Sequence, residues 1–132
     1  MNRRQFKLLS EDRLFLEEYG LPWETIVDGS QWTLLHEFLT PPGYNVPMVS
    51  VAIRIETGYP KTALDMAYFF PALSRIDGCP IRATNATQMI DGKDWQRWSR
   101  HRTPQNPWIV GHDNLGTHLL LVEDWLAREF ET

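Results

Sequence analysis

Ser99 and His101 stand two residues apart in the stretch Asp94–Arg102, which reads DWQRWSRHR. A serine hydroxyl becomes a useful nucleophile when a base takes its proton, and an imidazole can be that base. On an extended backbone alternate side chains share a face, so Ser99 and His101 would point the same way, with Arg97 and Trp95 beside them. In that geometry His101 can serve as base for Ser99, or Arg97 can bind an anionic intermediate. Cys79, in RIDGCPIR, is a second candidate nucleophile, because a thiolate forms near neutral pH.

Each of these residues also has a plainer role. Trp95 and Trp98 bury large area and suit a core or a lid. Arg97, Arg100 and Arg102 can lie on the surface with their stems covering apolar atoms. His101 alone would serve as a hydrogen-bonded structural histidine, Ser99 as an ordinary polar residue, and Cys79 as a small half-buried one. We expect Trp98 and Trp125 mostly inside, and Arg100 and Arg102 wet.

The elements that must position this string can be read from pattern. The 132-residue length suggests one domain. A hydrophobic content of 42% is enough for a core without a metal or disulfide staple. The segment LSEDRLFLEEYGLP predicts a helix over about 10–20, with Ser10 as its cap, Glu11 and Asp12 in its first turn, and Gly20 and Pro22 as its stop. Two strands flank the turn signal Asp28-Gly29. TPPGYNVP is a loop. VSVAIRIE alternates Val49, Val51, Ile53 and Ile55 with smaller or polar residues, as a strand does, and ALDMAYFFP reads as another strand ending at Pro71. Ser74–Gly92 is long, polar and irregular, the mark of a functional or a disordered loop. A C-terminal helix is predicted over about 113–130, capped by Asp113, with Leu115, His118, Leu119, Val122, Trp125 and Leu126 at helical spacing. Short links between successive strands favour an α+β domain: a roughly four-stranded antiparallel meander over about 23–70, flanked by the two helices.

That order, with Gly58-Tyr59-Pro60 after VAIRIE, Pro71 after DMAYFF, then DGKDWQRWSRHR, NPWIVGHDNL and an amphipathic helix, resembles the ubiquitin-conjugating (UBC-like) fold. The closer likeness is to the bacterial group called prokaryotic family E, from about Leu14 to Leu126, with WQRWSRH as the most specific element. The resemblance implies a single UBC-like domain over 1–132 with an active-site flap at about 74–107. It implies a role beside a ubiquitin-like modifier and an adenylating activating enzyme, in systems that often contain a JAB-type metallopeptidase. It implies that Trp95, Trp98, Arg100, Arg102 and Trp108 bind partners. One departure matters. Better-known relatives carry His-Pro-Asn and then a catalytic cysteine; this chain has no His-Pro-Asn, and Trp95 and Gln96 hold the matching place. The protein is therefore either an acyl carrier that uses Ser99 or Cys79, or a catalytically inactive adaptor that binds the modifier.

Other functions find less support. His36, His101, His112 and His118 lack metal-site spacing, and one cysteine does not make a structural zinc site, so no metal is expected. No phosphate-cradling glycine loop is present and no cofactor is expected. A net charge of −4 argues against nucleic acid, although the tryptophan–arginine mix keeps a single-strand-binding module as the lowest alternative. The apolar part of MNRRQFKLLSEDR is too short for a signal peptide and no stretch suits a membrane span, which together with the lone cysteine leads us to expect a cytoplasmic protein.

Overall fold

A computed structural model describes residues 2–131. α1 (Ser10–Tyr19) leads into β1 (Trp23–Asp28), β2 (Ser30–Leu39), β3 (Met48–Ile55), β4 (Ala67–Phe70), β5 (Thr87–Ile90) and β6 (Lys93–Trp98). α2 (Leu115–Arg128) follows, with a 3-10 turn at Glu129–Glu131. The strands make one antiparallel sheet in the order β1-β2-β3-β4-β6-β5. The α+β class with a helix at each end matches expectation. The strand count corrects it: six strands stand where about four were expected.

The two additional strands come from the segment expected to be a loop. Asp91 and Gly92 both have left-handed φ, 55° and 79°, and Ile90 stands opposite Lys93. That is a two-residue hairpin turn, the form whose twist suits antiparallel strands. The β5–β6 hairpin then docks β6 against β4, with Tyr68 opposite Arg97.

Two apolar clusters form, one on each face of the sheet. The larger packs α1 and α2 against the sheet through Leu16, Leu119 and Val122 on Val51, Phe69 and Trp98. The smaller gathers Ile26, Trp32, Leu34, Tyr68, Ile90 and Trp95 on the opposite face. Ile26 and Ile90 belong to the two edge strands, so the sheet curls until its edges share one cluster. Polar contacts fasten the curl: the Asp91 N–H donates to Asp28 at 2.8 Å, and Arg3 reaches Asp91 at 2.7 Å and Glu24 at 2.7 Å.

The Arg3–Glu24 contact makes part of the stability acid-sensitive. Hydrogen bonds from Arg3, outweighing burial, hold the Glu24 carboxyl down from 4.5 to about 2. Its stabilisation is complete above the unfolded value and is lost as pH falls from 4.5 toward about 2. Urea unfolding at neutral pH and near pH ~3 should show the difference in Glu24→Gln shrink by about 2 kcal/mol relative to the unsubstituted chain. An unchanged difference would show that the Arg3 contact does not hold in solution.

Helix ends differ from expectation in detail. Leu9, not Ser10, precedes α1, and no side chain caps it; Gly20 at φ 86° ends the helix as predicted. Asn114, not Asp113, caps α2, through a reciprocal pair of hydrogen bonds with Thr117 at 3.0 and 2.9 Å. Asp113 instead accepts the Ile109 N–H at 2.7 Å, in the loop before the helix.

The Tyr59-Pro60 turn joins the two helices. The Tyr59 hydroxyl donates to fully buried Asp12 of α1 at 2.6 Å and accepts the Leu115 N–H of α2 at 2.8 Å. Tyr59→Phe removes the hydroxyl from both groups and leaves buried Asp12 and the Leu115 N–H only their longer contact with each other, at 3.3 Å. It should cost about 2 kcal/mol of unfolding free energy measured in urea, against almost nothing if the hydroxyl were solvated.

Candidate functional site

The chain leaves β6 at Trp98 still extended, and its side chains keep alternating. Ser99 and His101 face one side; Arg100 and Arg102 go to the other. The Ser99 N–H donates to the Ala83 carbonyl at 3.0 Å, and the Arg100 carbonyl accepts the Met66 N–H at 3.2 Å. The segment is therefore pinned from both flanks.

Ser99 Oγ lies 3.1 Å from His101 Nε2. His101 Nδ1 lies 2.9 and 3.1 Å from the two oxygens of Asp65. A carboxylate at Nδ1 calls for the proton there, which leaves the Nε2 lone pair to accept the serine hydroxyl. Ser99 and Asp65 are half-buried, while His101 is exposed. A hydroxyl, a base and an orienting carboxylate thus lie in one hydrogen-bonded line at the surface. Such a line can move a proton from Ser99 to His101 as the oxygen attacks a carbonyl.

Sequence reasoning paired Ser99 with His101 and missed Asp65, which lies 36 residues earlier. No spacing signal connects them; the β4–β6 pairing does. Asp65 is held firmly by its neighbour. Met66 has a left-handed φ of 59°, uncommon outside glycine. Its carbonyl accepts from His118 Nε2 at 2.8 Å, deep under α2. Burial holds the His118 pKa below the ordinary range, which keeps the ring neutral with its proton on that donating nitrogen. Strained backbone of this kind persists where its surroundings over-determine it. Here those surroundings are α2 on one side and Arg100 on the other.

The other predicted residues separate. Arg97 shares a sheet face with Trp95, as expected, and stands across from Tyr68. Trp98 is 0% exposed, inside the larger cluster as expected, and Trp95 is 3% exposed in the smaller one, so neither ring lies on a surface where a partner could bind it. A strand buried on both faces needs a large apolar side chain on each. With both rings sealed, neither offers a base-stacking platform for nucleic acid. Trp125 is half-buried rather than mostly inside.

Arg100 and Arg102, expected wet, retain 14% and 12% side-chain exposure. Arg100 lies over Trp98 at 4.8 Å and donates to the Arg82 carbonyl at 2.8 Å; Arg102 lies over Trp108 at 5.1 Å and meets Asp113 at 3.4 Å. Aromatic faces and carbonyl or carboxylate acceptors draw both guanidiniums inward. Trp108 is half-buried, its Nε1 donating to the Pro60 carbonyl at 3.0 Å. Cys79 is exposed in a loop where its N–H donates to Asp77 at 3.0 Å. No hydrogen bond among the described residues joins it to Ser99, His101 or Asp65.

No helix of the described residues is long and apolar enough to cross a membrane. No curated protein and no solved structure matched the chain. A family model did. Its description is prokaryotic E2 family E, and it covers residues 8–129, from the approach to α1 through the end of α2. That span takes in the curled sheet, the Tyr59-Pro60 turn and the Ser99 segment, and the match points to a UBC-like role related to conjugation. By this match the chain belongs to prokaryotic E2 family E.

Proposed function

We propose that the protein is the conjugating-enzyme-like component of a bacterial ubiquitin-like modification system, and that it carries the modifier as an oxyester on Ser99. The observation that supports this reading is the hydrogen-bonded line Ser99–His101–Asp65. The donor is a thioester of the modifier on an adenylating activating enzyme. Ser99 Oγ attacks the thioester carbonyl while its proton passes to His101 Nε2. The new C–O bond forms, the C–S bond breaks, and the departing thiolate recovers the proton from His101. Asp65 stabilises the imidazolium between these two steps. Arg97, on the same sheet face, offers positive charge to an anionic group. The reaction takes place in the cytoplasm, and a JAB-type metallopeptidase would be the enzyme that reverses conjugation.

A second reading, a catalytically silent adaptor that binds the modifier, draws on a different observation. Trp95 and Gln96 occupy the place where better-known relatives hold a thiol, and both are buried. Gln96 is fully engaged: it accepts the Leu73 N–H at 2.9 Å and donates to the Leu73 carbonyl at 3.0 Å.

Incubation with the modifier, the activating enzyme and ATP separates the two. The carrier forms an adduct that survives thiols, falls to hydroxide and is absent in Ser99→Ala. Loss in Cys79→Ala instead moves the nucleophile to the thiol. Binding of the modifier with no adduct at all establishes the adaptor.

A further inference from the structure

Two arginines on the sheet face opposite the helices have no acid to answer them. Arg97 of β6 stands across from Tyr68 of β4, and Tyr68 stands across from Ala52 of β3. Arg54 lies two residues beyond Ala52 on the same face, with its guanidinium 5.0 Å over the Trp32 ring. The same register, extended past β4, brings Arg54 and Ser99 level with each other on either side of Met66. The two cations therefore border the strip of sheet that ends at Ser99.

Both are half-buried, and the Nε of each is buried without a hydrogen-bond partner. Among the described residues neither makes an ion pair, whereas Arg3, Arg13, Arg75, Arg100, Arg102 and Arg128 all do. Tyr68 of β4 lies between them in register, on the same face. Burial pushes the pKa of its hydroxyl up, and Arg54 and Arg97 pull it back, so both guanidiniums lie within electrostatic reach of that oxygen. Glu56 and Asp65 act on Tyr68 in the opposite sense but pair with neither arginine. Buried donors left without acceptors are costly, and proteins rarely keep them without a reason. Guanidinium forks suit the paired oxygens of a carboxylate or phosphate.

We propose that Arg54, Arg97 and the Tyr68 hydroxyl form an oxyanion-binding subsite beside Ser99, which takes the carboxylate of an acidic peptide side chain reaching in at this end of the sheet. This extends the role given to Arg97 above. It rests on strand register and unanswered donors, and binding is measured without any acyl transfer, so its failure is distinct from that of the Ser99 carrier.

The test uses the full chain labelled with 15N and follows the arginine Nε–Hε signals. The probes are an Asp-containing hexapeptide, its Asn-containing counterpart and inorganic phosphate. The expected result is a saturable shift of the Arg54 and Arg97 signals with the acidic peptide, at least tenfold weaker with the Asn peptide, and weakened at least tenfold in R54Q and in R97Q. Saturation by phosphate with no response to the acidic peptide would overturn the peptide source and assign the site to free phosphate. No saturable shift with any probe would end the proposal, and that measurement on the unsubstituted chain stands even if a variant fails to fold.

Discussion

His101→Gln is expected to slow formation of the Ser99 ester by about two to four orders of magnitude, the usual contribution of a positioned base. Glutamine keeps size and polarity but cannot take the proton from a hydroxyl held 3.1 Å away. Asp65→Asn should have a smaller effect, roughly tenfold. It offers an amide in place of the carboxylate that fixes the tautomer, yet this side chain is only half-buried, where water and salt weaken its field. Single-turnover rates from a preformed modifier thioester read both effects, with the modifier affinity of each variant measured in parallel. A carrier loses rate and keeps affinity. If His101→Gln transfers at the unsubstituted rate, the line from Asp65 to Ser99 is a surface hydrogen-bond network with no part in transfer.

Trp98→Ala is expected to destabilise the fold by about 3–5 kcal/mol, the range for emptying a large buried aromatic site. The Trp98 side chain is wholly buried in the larger cluster, with Phe69 at 5.2 Å and Tyr44 at 6.3 Å between ring centres. Its Nε1 donates to Gln96 at 3.0 Å. Trp98→Phe separates the two contributions. Phenylalanine keeps one ring of packing but loses the N–H and the second ring, so it should cost about 1–2 kcal/mol more than an apolar truncation of the same volume elsewhere in the core. Chemical unfolding followed by far-UV circular dichroism gives both numbers. Equal losses in the alanine and phenylalanine variants would mean that the hydrogen bond, not the packing, sets the energetics here.

What the sequence made legible was mostly what local chemistry decides. Gly20 ends α1 because a left-handed residue there costs glycine little. The turn at Asp28-Gly29 and the alternation of Val49, Val51 and Ile53 gave β1 to β3, and the spacing of Leu115, Leu119, Val122 and Leu126 gave α2. The β5–β6 hairpin was harder to see. Its Asp91-Gly92 turn was a readable signal, but β6 is covered on both faces, so Trp95, Gln96 and Trp98 show no alternation of apolar and polar. For the same reason the pattern did not separate a core role for Trp95 and Trp98 from a partner-binding one; both are core. Ser99 and His101 were readable as a pair because extended backbone repeats every second residue. Asp65 was not, because only strand pairing brings it there. The inward turn of Arg100 and Arg102 also depended on distant partners, Arg82, Glu129 and Asp113.

Arg3 reaches across 88 residues of chain to grip the tip of the β5–β6 hairpin at Asp91. β6 also enters the sheet between β4 and β5, out of sequential order. Both features raise the mean loop length that must close before the native contacts reward the chain, and such topologies fold slowly for their size. During synthesis the clasp from Arg3 stays open until Asp91 has left the ribosome. Until then the nascent sheet exposes the edge of β4 that β6 will cover, and this is where a chaperone, or a neighbouring nascent chain, would find it.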